Sequence, residues 1–429
     1  MVFATRGMDL MGHTDVMQAE APRAARGFWW RLLATVGPGI LVMLANTDAG
    51  CMITAAQSGA VWGYAMVLPQ LVLIPIVYVV QEITVRLGLV TGRGHGELIR
   101  HHFGRGWAWI SVSTLFLSAI GALVTEFAGI AGVGELFGIS PYYTVSTATV
   151  LLIALALTGS YKRVERVGIA MGLFELALVP GALLAHPSWH QLLQGLATVP
   201  LDHPSYVYLL AANVGAVIMP WMIFYQQSAV VDRKLTLRDL RFARWDTFLG
   251  SILTQVIMIA VVVMIAATVG RTHPNTPLET VGDIAQGLTP FLGAAAAKVI
   301  FGLGMLGASF VAALVVSLAG AWGIGEVTGI RRSLNTRWKD AKAFYTVYSL
   351  AHIGGAALVF SGLNLINLSV DTEVMNSLLL PIVLGFLLLL ERRALPPEYR
   401  MRGWYRWIVT GLSFIVMAFG VYMGLQIVV

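Results

Sequence analysis

Apolar residues run through this chain in long stretches, and the polar positions gather between them. Eleven stretches are long enough to cross a bilayer as helices, which takes about 20 residues each. They fall near 36–58, 63–90, 107–137, 142–159, 166–185, 207–231, 246–269, 292–326, 342–361, 372–391 and 405–428. Gly, Pro or a charge marks many of the boundaries. The pattern predicts an all-α polytopic membrane protein of eleven helices. Residues 1–30 are polar and mixed in charge with no early apolar core, so they are expected to form a cytoplasmic tail rather than a cleavable signal.

The polar segments carry an orientation. With the N-terminus inside, the segments assigned to the inner face hold 25 of the 28 Lys and Arg, and the outer ones little beyond Arg271. That asymmetry is the positive-inside pattern, and one miscounted helix would scramble it. It predicts a cytoplasmic N-terminus and an external C-terminus, in a plasma membrane of bacterial type. A net charge of +6 spread in short clusters between apolar spans is topology, not a nucleic-acid surface. Only 12% of residues are charged, about half the share in a soluble domain. The 45 glycines suit close packing of membrane helices, and the single cysteine, Cys51, rules out an internal disulfide.

Spans one to five start inside and spans six to ten start outside. Two sets of five spans in opposite orientation are what an inverted repeat needs. The expected organisation is a first repeat over 31–190, a second over 200–395 and an added helix over 396–429. In such a fold the first span of each half is discontinuous. Span one carries Asp48-Ala49-Gly50-Cys51, and a carboxylate at membrane depth costs about 2.5–3.5 kcal/mol unless it lines a polar site. Span six carries Gly215-Ala216-Val217-Ile218-Met219-Pro220-Trp221, where Pro220 opposes a continuous helix and frees carbonyls a turn earlier. Gly50 and Pro220 are therefore the expected helix breaks. Freed carbonyls and half-helix ends there can bind a cation.

These two segments resemble the Nramp family of divalent metal transporters, which share the inverted-repeat fold of LeuT-like carriers. The family's first-span motif, Asp-Pro-Gly-Asn, is matched by Asp48-Ala49-Gly50-Cys51, with Gly37-Pro38-Gly39 before it and Gln57-Ser58-Gly59-Ala60 after. Its sixth-span motif, Ala-x-x-Met-Pro-His, is matched by Ala216-Val217-Ile218-Met219-Pro220-Trp221. The resemblance implies Asp48, the Ala216 carbonyl and the Met219 thioether as metal ligands. Cys51 stands where the family uses an Asn oxygen, and Trp221 where it has a His implicated in proton movement. Glu373, placed by spacing back from Pro381, stands where many members carry a Gln. These departures are similar to a divergent branch, the Nramp-related magnesium transporters.

The donor set is mixed in its implications. Met219 and Cys51 are soft donors that favour Mn²⁺ or Fe²⁺, whereas Asp48 and Glu373 are hard oxygens compatible with a partly hydrated Mg²⁺. Cys51 has the alternative of being a small apolar filler. Glu373 has the alternative of a solvated helix start, since the apolar run begins at 372. Glu126, Trp221, Gln227 and Glu373 are candidates for the ion pathway, with Glu126 either part of a proton relay or paired with a backbone group. Trp221 cannot titrate, which predicts weak or absent proton coupling. Glu82 and Arg86, four apart, are expected to pair along one helix face, and Glu175 in span five has no evident role.

The competing functions are a carrier of the same fold for an organic solute such as an amino acid, and a membrane enzyme. Asp48 at the centre repels a carboxylate substrate. No P-loop, HExxH or GxSxG motif occurs, so ATP-driven pumping and hydrolysis lack support. The expected partners are the transported divalent ion and the lipid bilayer. No resident cofactor and no nucleic acid are expected, and a monomer is compatible with the sequence.

Overall fold

The computed structural model describes residues 37–272, 277–278, 281–361 and 365–428, so the expected tail over 1–30 lies outside the described residues. Every described element is helical. The order is α1 (Pro38–Ala45), α2 (Ala49–Trp62), α3 (Val67–Thr91), α4 (His95–Phe103), α5 (Arg105–Leu136), α6 (Pro141–Leu157), α7 (Tyr161–Gly172), α8 (Leu178–Leu184) and α9 (Trp189–Leu196). There follow α10 (Pro204–Val217), α11 (Pro220–Asp232), α12 (Leu240–Ala267), α13 (Val281–Leu292), α14 (Ala294–Thr328), α15 (Lys342–Val359), α16 (Leu365–Ala394) and α17 (Gly403–Val428).

Among the described residues, eight helical segments are long and apolar enough to cross a membrane, from Ala49–Thr91 to Gly403–Leu425, and Pro141–Leu157 is a shorter apolar helix. A 3-10 turn, Gly63–Met66, joins α2 to α3, and Gly63, at φ 55°, takes the chain out of the helical path between the two expected spans. Another, Leu173–Ala177, joins α7 to α8. Helical backbone satisfies its own polar groups, which is what an apolar solvent demands. Burial is uneven: α10–α11, α12 and α14 are mostly buried, whereas α7–α8 and α17 are mostly exposed. The former make the centre of the bundle, and the latter its lipid-facing rim.

The boundary of one predicted span needs correction. The apolar run begins at 372, but α16 begins at Leu365. Polar Asn367, Ser369, Asp371 and Thr372 hide its first two turns in the sequence. The helix is held there by close packing on α10, where a Cβ added to Gly215 would sit 1.8 Å from the Glu373 carbonyl oxygen. Only glycine permits that approach of two backbones.

Candidate functional site

Two interruptions in the helical path meet near the centre of the bundle. Between α1 and α2 the chain leaves helix at Asn46-Thr47-Asp48. Asp246, from α12, accepts the Gly39 amide at 2.7 Å and those of Gly37 and Ile40 at 3.2–3.3 Å, which caps α1. Asp48 is the N-cap of α2, and its Oδ1 accepts the Cys51 amide at 2.7 Å. Glu126, from α5, accepts the Ala49 amide at 3.1 Å. Two carboxylates thus serve the free donors at the start of α2, where the helix dipole favours negative charge. Between α10 and α11 the break lies at Ile218-Met219, and Pro220 takes the first position of α11, where its missing amide costs nothing.

The breaks are joined by one direct contact. The Cys51 thiol donates to the Ala216 carbonyl at 3.1 Å. Glu373 completes the cluster from α16. Ligand atoms of Asp48, Cys51 and Glu373 all lie within 4.8 Å of one another, and all three residues are buried. The carboxylates have one satisfied and one unsatisfied oxygen each. Glu373 Oε2 accepts from Asn376 at 2.9 Å, whereas Glu373 Oε1 and Asp48 Oδ2 have no hydrogen-bond partner among the described residues. Two ionised carboxylates at about 4.8 Å repel by roughly 3.5 kcal/mol at an effective dielectric of 20. A divalent cation between them turns that repulsion into attraction and meets both unsatisfied oxygens.

Glycine makes the space for this cluster. A Cβ at Gly50 would lie 2.6 Å from Glu373 Oε1, 3.3 Å from Asp48 Oδ1 and 3.4 Å from the Thr125 hydroxyl. Gly50, expected as a helix break, instead lies within the first turn of α2, and the break falls at Asn46-Thr47-Asp48; its value here is the missing side chain and not a special backbone angle.

Glu373 is fully buried, which overturns its alternative as a solvated helix start; Asp371, two residues earlier, holds the outer position and accepts from the Tyr208 hydroxyl. Met219 is the N-cap of α11, and its sulfur accepts the Trp221 indole N–H at 3.1 Å. Trp221 is itself fully buried and anchors the thioether. Gln227 is not gathered into the cluster. Its side chain bonds the Arg93 carbonyl at 2.9 Å and His95 Nδ1 at 3.1 Å, fixing α11 to the start of α4. Burial pushes the His95 imidazole down to about 4. Glu126 is paired with backbone, the second of its two expected alternatives.

Several polar residues around the site carried no signal in the sequence reading. Asn376 is one helical turn after Glu373, a spacing that could have flagged it as a partner. Asp246 gave no such hint, since its acceptor role depends on a contact across about two hundred residues. Glu175 contacts the Thr47 hydroxyl at the first break, which gives that unexplained carboxyl a position. Glu82 and Arg86 pair at 2.9 Å as expected, and Arg244 joins them at 2.7 Å from Glu82.

A model of the family described as "Natural resistance-associated macrophage protein-like", abbreviated Nramp, matches residues 39–426. The chain belongs to the Nramp family. Among curated relatives, the divalent metal cation transporter MntH of Chromohalobacter salexigens is 28% identical over 316 residues, covering 71% of this chain and 72% of the relative. The protein of the same name from Burkholderia ambifaria is 25% identical over 407 residues, covering 90% and 87%. A solved structure of the Eremococcus coleocola manganese transporter superposes with a TM-score of 0.75 at 20% identity, over 92% of this chain and 87% of that one. MhsT in complex with L-phenylalanine superposes with a TM-score of 0.61 at 14% identity, over 93% and 98%. At these identities the structures speak for the fold alone, an all-helical one with LeuT-type neighbours. This Nramp chain is an integral multi-pass membrane protein of a transporter family, not an enzyme.

Proposed function

We propose that this Nramp protein moves divalent metal cations into the cytoplasm through a midplane site between its two helix breaks. The ion is held by Asp48, Glu373, the Cys51 sulfur, the Ala216 carbonyl and the Met219 thioether. The observation that carries this reading is the buried Asp48–Cys51–Glu373 cluster with an unsatisfied oxygen on each carboxylate. The eleven apolar stretches of the sequence are read as eleven spans, five and five in an inverted repeat with spans one and six broken, followed by a last span. The basic residues orient the N-terminus to the cytoplasm and the C-terminus outside. The relatives named as divalent metal cation transporters support the substrate class.

The ion favoured is of the Mn²⁺ or Fe²⁺ type. Cys51 sulfur lies inside the cluster, and a soft donor there selects against Mg²⁺. The second reading, a partly hydrated Mg²⁺ held by two carboxylates, is favoured by one observation: Glu373 adds a second charge opposite Asp48. Proton coupling is weak or absent, because Trp221, an indole that cannot titrate and is held by the Met219 sulfur, stands where the family has a histidine. A membrane potential of 100 mV contributes about 2.3 kcal/mol per charge, sufficient to concentrate a divalent cation inward without protons. An organic zwitterion fits poorly, since its carboxylate would face two buried acids.

The test is uptake into proteoliposomes at an imposed inside-negative potential, with Mn²⁺ and Mg²⁺ offered separately and in competition, and internal pH recorded. Saturable Mn²⁺ entry resistant to excess Mg²⁺, with no stoichiometric acidification, is the expected result. Mg²⁺ entry competed by Mn²⁺ would favour the second reading. Proton influx matched to metal entry would refute the coupling claim, and absence of any metal flux would refute the reading as a whole.

A further inference from the structure

We propose that this protein holds one anionic phospholipid in a groove on its lipid-facing rim that shares no residue with the ion site. The groove has a volume of about 880 Å³ and lies between α5, α6, α7 and α14. Its floor includes Ile130, Val133 and Phe310, and its walls include Leu151, Leu155 and Met171. The few hydroxyls along it do not offer a polar surface. Thr144 and Thr158 donate back to their own helix, to the Pro141 and Leu155 carbonyls. A cleft whose surface is almost wholly hydrocarbon, on helices exposed to lipid, fits an acyl chain and gives a peptide little to hydrogen-bond.

Length supports the same occupant. The lining residues on α6 and its C-cap run from Tyr143 to Thr158. At about 1.5 Å per residue this is roughly 22 Å, against about 15 Å for one leaflet of a 30 Å hydrocarbon core. An entire chain of one leaflet can lie along it.

One end of the groove is basic. On α7, Arg163, Val167 and Met171 are spaced by four, so they form one stripe. Val167 and Met171 line the groove, which puts Arg163 one turn beyond its end. Lys162, Arg163 and Arg166 are all exposed. The acid on the same helix, Glu165, is turned away and bonds Arg233 at 2.7 Å. A second basic segment sits beside the first. The Thr336 carbonyl comes within 3.3 Å of where a Cβ of Gly159 would stand, and the Tyr161 amide donates to Asn335 at 3.3 Å. These contacts bring Arg337 and Lys339, both exposed, to the α6–α7 corner, with a single acid, Asp340, in the same loop. Trp338 between them is half exposed, the usual position of an indole at the headgroup level. Apolar length ending in a cationic, indole-flanked rim is the complement of an anionic lipid and not of a zwitterionic one.

The experiment uses the full-length protein, purified and delipidated, then titrated with phosphatidylglycerol or with phosphatidylcholine of identical chains, and read by native mass spectrometry. The expected result is retention of one phosphatidylglycerol in preference to phosphatidylcholine. Combined Lys162→Gln, Arg163→Gln and Arg166→Gln substitution should weaken it on the order of 100-fold, at about fivefold per surface cation. Ala154→Trp, which fills the groove from α6 and leaves every charge in place, should remove the bound lipid. Equal retention of both lipids, or phosphatidylglycerol retention untouched by Ala154→Trp, would overturn the proposal. If the triple variant fails to fold, the Ala154→Trp result alone decides.

Discussion

Adding a single methyl group at Gly50 separates the stability of this protein from its ion binding. Gly50 lies in the first turn of α2, in ordinary helical conformation, so Gly50→Ala gains about 0.5–1 kcal/mol in backbone terms. The new Cβ, however, would lie 2.6 Å from Glu373 Oε1, well inside van der Waals contact. The Glu373 carboxylate must swing away by close to an ångström, and Asn376 holds its other oxygen at 2.9 Å against that movement. Displacing a ligand should cost at least the 10–100-fold in metal affinity that disturbing an outer-shell partner costs. The assay pairs Mn²⁺ uptake, read as KM, with thermal unfolding of the same sample. The expected result is a KM raised about 10–100-fold with Tm unchanged or raised. Glu373→Asp in the Gly50→Ala background, one methylene shorter, should recover part of the loss. An unchanged KM in Gly50→Ala would refute the placement of Glu373 at the ion.

The other predictions concern groups around the cluster. Glu126→Gln keeps an acceptor for the Ala49 amide and should retain metal uptake, whereas Glu126→Leu orphans that amide and should destabilise by about 1–3 kcal/mol, read as a lowered Tm. Trp221→His should introduce a pH dependence of uptake between pH 5.5 and 7.5 that the wild type lacks, measured as initial rates at constant membrane potential. His95, held near 4 by burial, binds a proton more readily in the unfolded chain, near 6.5. Its neutral form therefore adds stability above pH 6.5 that is lost as pH falls towards 4, about 2 kcal/mol by pH 5. The fall in Tm from pH 7 to pH 5 should shrink in His95→Asn, and an identical fall in the two proteins would count against it.

The long apolar runs made the helical class legible, because a bilayer fixes the length and polarity of what crosses it. An aspartate and a proline inside such runs conflict with uninterrupted apolar helix, and helix is absent at Asn46–Asp48 and at Ile218–Met219, although Gly50 itself is helical. Glu373 was read ambiguously because the first turns of α16 are polar, and their burial depends on the glycine contact with α10, which is invisible to a hydropathy pattern. The partners of Gln227, an expected ion-pathway residue, are equally hidden, because Arg93 and His95 come from a different part of the chain. The Cys51–Ala216 contact and the Asp246 cap join residues separated by 165 and about 207 positions, so only the fold reveals them. Short-range spacing carried the pairings that lie on one helix, such as Glu82 with Arg86, and little else.

The central claim is that a divalent ion binds between the two helix breaks. Anomalous diffraction from crystals of the protein equilibrated with Mn²⁺ tests it most directly. One strong peak bounded by Asp48 Oδ2, Glu373 Oε1 and the Cys51 sulfur is expected, absent in Asp48→Ala crystals. A peak elsewhere in the bundle, or one that persists without the Asp48 carboxylate, would contradict it.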